Sequence, residues 1–435
     1  MDWRPVGASG LLAPALTAAE VRRVWERLDA AAVTWRALPL AARIEHLAEA
    51  LRVLHARGPG SGREALARSA ALSLAGIDAA WDVTFAPHDA STLHAALAAE
   101  GLDAAALAAL EREGRVPRRL VHVVAGNVLA PSLQTLLRGW LLGAAQWLRP
   151  AAREPLFGAC LLAELVTLAP RAAACTAVLW WPHDDAMAAS VLSHADVVTV
   201  QGSDAAVAAV AAQVAALPQP PRCVGYGARW SGALVSAASQ TLATAAGLAT
   251  DVALFDQQGC LSPSLVFAER SASLRDWCAA LAAALRAEEE ALPRGPLDAL
   301  ARAALRHWHE VARLDVALGT VQELWEDSTR WAVVLLADGA AHDTPLDRHV
   351  VVVPFTNVDE IAAVLGTQSA RLQGLALAVD EWDELRKKTA LAVLRPSRTA
   401  PPGRLQHAPL AWPQDHRPPF ASLLAPPTRL NAPSG

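Results

Sequence analysis

From residue 120 to residue 224 the chain alternates short β-branched runs with segments of helical period, and no other feature restricts its fold as tightly. Residues 120–125 (LVHVVA) read as a strand buried on both faces and closed by Gly126 and Asn127. A helix over 131–142, a strand over 145–149 and a helix over 154–168 follow. Then come a strand over 175–180, a helix over 184–193, a strand over 196–200 (DVVTV), and a helix from Gly202-Ser203 to about residue 217. A fifth strand begins at Arg222. A strand that must pass through a helix before meeting the next strand pairs in parallel, so the pattern predicts a doubly wound α/β sheet. Such sheets bind ligands at the carboxyl ends of their strands, where Asn127, Arg149 and Ser203 fall.

After Gly225 the pattern restarts. A helix is expected over 231–248, a polar loop over 255–263, a strand over 264–268 and helices over 273–292 and 297–313. Strands over 331–336 and 349–353 and a helix over 357–365 complete it. Upstream, 17–57 reads as two helices bent within 29–36, and 63–112 as helices broken near Pro87. The organisation expected is therefore N-terminal helices plus a cofactor-binding domain over 1–224 and a second α/β domain over 225–395. A proline-rich segment over 396–435 packs back on the body.

Composition removes several functional classes. Net charge is −5 with no basic stripe, which excludes nucleic acid as a partner. The only lysines are the adjacent Lys387 and Lys388 in a charged stretch, a poor setting for a Schiff base. No HExxH occurs, and His307 and His309 stand two apart on a helix, so no metal site is expected. Apolar stretches are too short or too interrupted to span a bilayer, and the first twenty residues lack a signal-peptide pattern. Five cysteines without a CxxC suit free thiols in a reducing, cytoplasmic setting. His183-Asp184-Asp185 reads as a loop in which Asp184 caps a helix.

Four cysteines, Cys160, Cys175, Cys223 and Cys278, lie in apolar-periodic segments and read as packing residues. Cys260 lies instead in the polar loop FDQQGCLSP, where a thiol can meet both solvent and substrate. Local chemistry alone leaves it balanced between a nucleophile and an idle loop thiol. Asn127 can donate to a developing oxyanion or simply turn the chain, and spacing favours the turn. Gly202-Ser203 opens a helix, so the hydroxyl can cap it, bind phosphate or do both. No GxGxxG follows the first strand, and Gly225-Tyr226-Gly227 is a weak glycine pair.

Three stretches together resemble the LuxC-type acyl-CoA reductase family, a branch of the aldehyde-dehydrogenase superfamily. They are VAGNVLAPSLQTLLRGWLLGAAQWLRPAAREP from Val124, HADVVTVQGSDAAV from His194 with GYGARWSGALV after it, and DVALFDQQGCLSPSLVFAE from Asp251. The closing AWPQDHRPPFASLL is similar too. The resemblance implies two doubly wound domains around an active-site cleft, with Cys260 taking an acyl group from a thioester. It implies an oxyanion hole from Asn127 and the Cys260 backbone N–H. It implies a nicotinamide cofactor, NADPH, contacted by Gly126, Arg149, Gly202, Ser203, Gly225 and Gly227. The acyl donor it implies is acyl-CoA or an acyl-protein, with an acyl-protein synthetase as partner; self-association is left open. Arg149 stands where the superfamily usually has lysine. Gly225-Tyr-Gly-Ala228 stands where its hydrolytic members carry Glu-Leu-Gly-Gly, and the missing carboxylate favours reduction over hydrolysis. The rivals are a CoA-acylating aldehyde dehydrogenase working oxidatively and a degenerate member acting as a scaffold.

Overall fold

The computed structural model describes residues 2–6, 11–124, 126, 128–183, 185–337 and 344–426. A hairpin of β1 (Asp2–Pro5) and β2 (Leu12–Ala15) leads into α1 (Ala18–Arg36), α2 (Leu40–Arg57), α3 (Arg63–Ala70), α4 (Leu74–Phe85), α5 (Ala90–Ala98) and α6 (Ala104–Arg112). A capping box starts α1: the Thr17 hydroxyl accepts from the Glu20 N–H, and the Glu20 carboxylate accepts from the Thr17 N–H at 2.8 Å. The bend expected within 29–36 lies further on, at 37–39. Trp25, Leu28, Ala32 and Trp35 recur on one buried face and carry α1 straight through the expected break. The chain turns only at Pro39, which precedes α2.

The first sheet is built from β3 (Arg119–Val123), β4 (Ala145–Arg149), β5 (Thr176–Val178), β6 (Val197–Gln201) and β7 (Arg222–Tyr226). They are linked by α7 (Ala130–Leu142), α8 (Phe157–Leu168), α9 (Pro170–Ala174), α10 (Ala186–Leu192) and α11 (Asp204–Ala215). The order is β5-β4-β3-β6-β7 and every pairing is parallel. Winding reverses at β3, which opens a crevice beyond its carboxyl end. Inside the sheet the buried His122 joins three strands, with Nδ1 to Thr199 at 2.7 Å and Nε2 to Gln146 at 3.1 Å. Burial pushes its pKa down to about 3, so it stays neutral.

The second sheet comprises β8 (Trp230–Val235), β9 (Pro263–Glu269), β10 (Val321–Glu326), β11 (Ala332–Leu336), β12 (His349–Phe355), β13 (Leu372–Ala378) and β14 (Arg398–Ala400). Around it lie α12 (Leu242–Ala253), α13 (Leu274–Ala291), α14 (Ala299–Leu318), α15 (Val358–Leu365) and α16 (Glu384–Leu394). The order is β10-β11-β12-β9-β8-β13-β14, parallel except for β10 against β11. Here the helix expected over 231–248 is corrected: residues 230–235 are the buried strand β8, and helix begins only at Leu242. WSGALV sits between two strands and is covered on both faces, so it lacks the alternation that marks a half-exposed strand.

Apolar side chains from the N-terminal helices and the first sheet form one core, and two further cores cover the faces of the second sheet. The segment after β14 joins them. Leu405, Ala408 and Trp412 belong to a core of the second sheet, whereas Leu410, Phe420, Leu423 and Leu424 belong to the first.

Candidate active site

Cys260 lies in the short loop between Gln257 and β9, at the amino edge of the second sheet. It is the exposed one of the five cysteines; Cys175 and Cys278 are buried, and Cys160 and Cys223 half-buried. The backbone before it is strained. Phe255, Asp256 and Gln257 have φ of 55°, 49° and 63°, a left-handed run that non-glycine residues adopt only when held.

What holds it is the motif itself. The Asp256 carboxylate accepts from Arg348 Nη2 at 2.6 Å and Nε at 3.0 Å, and from the Gly295 N–H at 2.9 Å. Gln257 Nε2 donates to the carbonyls of Pro263 (2.7 Å) and His349 (2.9 Å), while its Oε1 accepts from the His349 N–H at 2.8 Å. Gln258 donates to Asp347 at 2.6 Å. Beyond the cysteine, Ser262 Oγ accepts from Gln406 at 2.7 Å, and the Ser231 hydroxyl donates to the Cys260 carbonyl at 2.6 Å. Thus the amino ends of β8 and β12 and the C-terminal segment clamp the thiol-bearing loop from three sides. Each polar side chain of the DQQGC stretch spends its hydrogen bonds on geometry, which leaves the thiol free for chemistry.

Although its surface is reachable, Cys260 is surrounded by protein, and this desolvation pushes its pKa up to about 12. The Asp415 carboxylate adds to the shift and the residue's own N–H opposes it. At neutral pH the group is a thiol that needs a proton acceptor. Burial, helped at Cys278 by Glu323 and opposed at Cys175 by Arg36, raises these two to about 12 as well, so exposure, not acidity, sets Cys260 apart.

At the carboxyl edge of the first sheet a cavity of about 340 Å³ opens where winding reverses. Gly126, Arg149, Arg153, Trp181, Gln201 and Ala206 are among its lining. Arg149 stacks between Trp180 and Trp181, 5.7 and 5.8 Å from their ring centroids, and its Nε donates to the Trp181 carbonyl at 2.9 Å. No carboxylate pairs with it among the described residues, and burial lowers its pKa to about 10, so it remains a cation. Ser203 caps α11 by accepting from the Ala206 N–H at 3.2 Å, beside the lining residue Gln201.

Gly225 and Gly227 are not part of that lining. A Cβ on Gly225 would stand 2.5 Å from Val207, and one on Gly227 2.3 Å from Asp204, so both positions serve close packing against α11. Asp204 accepts from the Ala228 N–H and pairs with Arg371, so its carboxylate is engaged. Asn127 lies outside the described residues, as does Asp184; the helix cap expected at Asp184 is supplied by Asp185, which accepts from the Met187 N–H at 2.8 Å.

Sequence reasoning missed two groups. Asp415, whose side chain is only 4% exposed, pairs with Arg229 at 2.8 Å. His309 pairs with His349, forty residues away, at 2.9 Å between their Nε2 atoms behind the Asp347–Gln258 bond. Neither has a local signal, because partners so far apart in sequence show only in three dimensions. Among the described residues no cluster suits a metal ion.

A family model described as acyl-CoA reductase (LuxC) matches residues 108–424. The chain belongs to that family. Curated LuxC relatives agree with the assignment. The long-chain acyl-protein thioester reductase of Vibrio harveyi is 24% identical over 273 residues, 62% of this chain and 55% of that protein. Its counterpart in Aliivibrio fischeri is 28% identical over 153 residues, 34% of this chain and 31% of that one. The chain therefore matches about half or less of these relatives' length. A benzaldehyde dehydrogenase from Corynebacterium glutamicum superposes with a TM-score of 0.68 at 14% identity, covering 91% of this chain and 87% of its own. Aldehyde dehydrogenase 21 from Physcomitrella patens gives 0.67 at 13% identity, covering 92% and 86%. The fold of this LuxC-family chain is that of the aldehyde dehydrogenases.

Proposed function

We propose that the chain reduces an acyl thioester to the aldehyde through an acyl-Cys260 intermediate, with NADPH as reductant. The observation that carries this reading is the exposed thiol on a loop whose neighbouring side chains are all committed to holding it in place. The thiol sulfur forms a bond to the thioester carbonyl carbon, and the donor thiol leaves with a proton. A bound NADPH supplies the hydride that the acyl-cysteine requires. The Cys260 backbone N–H, with the Asn127 amide, is suited to hold the carbonyl oxygen as charge grows on it. Once the aldehyde has formed, the sulfur regains a proton, so the sum is RCO–SR′ + NADPH + H⁺ → RCHO + HSR′ + NADP⁺.

The cavity at the first sheet fits the adenosine end of such a cofactor. Arg149 and Arg153 offer positive charge for a phosphate, Gly126 lines the same cavity, and Gly202 and Ser203 stand at the N-terminus of α11, a position that favours one. The stretch Gly225–Ala228 brings no carboxylate to activate water, which favours reduction over hydrolysis. The relatives' names support a long-chain acyl group held as a thioester on a protein, and the family's description supports acyl-CoA; an acyl-protein synthetase as donor is proposed on the family resemblance alone.

The test is a steady-state assay with long-chain acyl-CoA in which oxidation of the reduced nicotinamide and aldehyde formation are followed together. The expected result is equal rates of both, abolished by C260A. With R149M, KM is expected to rise more for NADPH than for NADH. Acyl-CoA formation from aldehyde, CoA and NADP⁺ with no measurable reduction of acyl-CoA would overturn the reading.

A further inference from the structure

The acyl transfer just proposed leaves one demand unmet: a thiol held protonated must lose its proton as it attacks, and the superfamily's usual glutamate is absent. The C-terminal segment brings a carboxylate to the same place. Asp415 and His416 form a left-handed turn, with φ of 54° and 57°. The Asp415 side chain is 4% exposed; Oδ2 accepts from Arg229 Nη2 at 2.8 Å, and Oδ1 is buried with no hydrogen-bond partner. An unpartnered carboxylate oxygen out of water is costly, so a group kept in that state stands ready to accept a proton.

Its position follows from chain connections. Arg229 stands two residues before Ser231, whose hydroxyl binds the Cys260 carbonyl at 2.6 Å. The same C-terminal segment supplies Gln406, which binds Ser262 and would lie 3.3 Å from a Cβ on Gly259. The Arg229–Asp415 pair and the Ser231–Cys260 bond therefore leave the amino end of β8 together.

We infer that Asp415 is the general base for Cys260, accepting the thiol proton on Oδ1, directly or through one water. This rests on the acyl-transfer reading. As the S–C bond forms, the S–H proton passes to Asp415; as the thioester C–S bond breaks, the same proton passes to the leaving thiol. The carboxylate returns to its starting state and no oxidant or reductant is consumed. The charged or titratable groups that act on Asp415 are Arg229, Arg417 and His416, and Asp415 in turn acts on Cys260. Burial raises its pKa and Arg229, ahead of Arg417 and His416, lowers it, so the acid limb of acyl transfer reflects their balance.

The experiment compares wild type, D415N and R229M in two reactions without nucleotide: acylation of Cys260 by acyl-CoA across pH, and alkylation by iodoacetamide. Loss of a general base slows acylation by about 10²-fold or more. D415N is therefore expected to acylate at least that much more slowly and to lose the acid limb. Alkylation consumes the same thiol proton, so D415N is also expected to alkylate more slowly than wild type and to lose the same acid limb. R229M keeps the carboxylate and is expected to shift the acid limb to higher pH. A broken site would lower the rates without changing their pH dependence, so a D415N profile that keeps the wild-type acid limb at a reduced rate would overturn the inference. D415N acylating as fast as wild type, or R229M matching its loss at every pH, would overturn it equally. If the wild type itself takes no acyl group, the reading of the site falls first and this inference with it.

Discussion

Asp251 bonds the C-terminal segment to the helix that precedes the thiol loop. Fully buried in α12, it accepts from the N–H groups of Gly403 at 2.7 Å and Leu405 at 3.0 Å. Burial pushes its pKa up from 3.8 to about 7 in spite of these bonds. In the unfolded chain the group ionises near its ordinary value, so the native state holds the extra proton between those limits. Its contribution to stability is therefore fully present below about pH 4, declines as pH rises towards 7 and levels off above it. Within that window each rise of one pH unit costs about 1.4 kcal/mol. Replacement with Asn removes the titration and one acceptor oxygen. The expected outcome for D251N is a lower denaturation midpoint at pH 5 and a flatter dependence between pH 4 and 7. A slope equal to that of wild type would contradict this assignment.

At the scale of the element, the loop bearing Cys260 depends on one buried arginine. Arg348 is 1% exposed and pairs with Asp256 at 2.6 Å and Glu289 at 2.8 Å. Removing one partner of a buried pair strands the other charge and typically costs about 3–5 kcal/mol. R348M is expected to lose stability of that order in urea titration and to weaken acyl transfer, because the left-handed turn at 255–257 loses its main fastening. Unchanged stability would refute this role. The sequence displayed this loop as polar, glycine-containing and cysteine-bearing. It did not display what each polar residue binds, since Asp256 finds Arg348 and Gln257 finds His349 across more than ninety positions. The parallel sheet from 119 to 226 was legible because its strands are β-branched runs between helical periods. β8 and β13 were not: WSGALV and LQGLALA carry almost no β-branched residues and are buried on both faces, so neither helical nor strand period stands out. The polar loop around Cys260 was legible, but local chemistry left the thiol balanced between nucleophile and idle residue, and only the family resemblance of the stretch favoured the first. Asp415 was not legible, because a carboxylate between glutamine and histidine near the chain end reads as surface until a fold buries it.

For the molecule as a whole, the segment after β14 acts as a staple between cores. Leu405 and Trp412 sink into the second-sheet core and Phe420 into the first, while Glu100 accepts from the Phe420 and Ala421 N–H groups. Phe420 is fully buried, and Phe-to-Ala truncation in a core costs about 3–5 kcal/mol. F420A is expected to lower the denaturation midpoint accordingly and to slow acylation of Cys260, since Gln406 and Asp415 ride on the same segment. A destabilised variant that keeps full acylation at low temperature would separate the staple from the site. The molecule is thus read as two wound sheets, one shaped for a nucleotide and one presenting a thiol, fastened by a strap that completes the site. The most direct test of that account is mass spectrometry of the intact chain and its peptides after mixing with long-chain acyl-CoA in the absence of nucleotide. The account predicts one acyl group, on the peptide carrying Cys260, released as aldehyde when NADPH is added. No adduct, or one on any other cysteine, would contradict it.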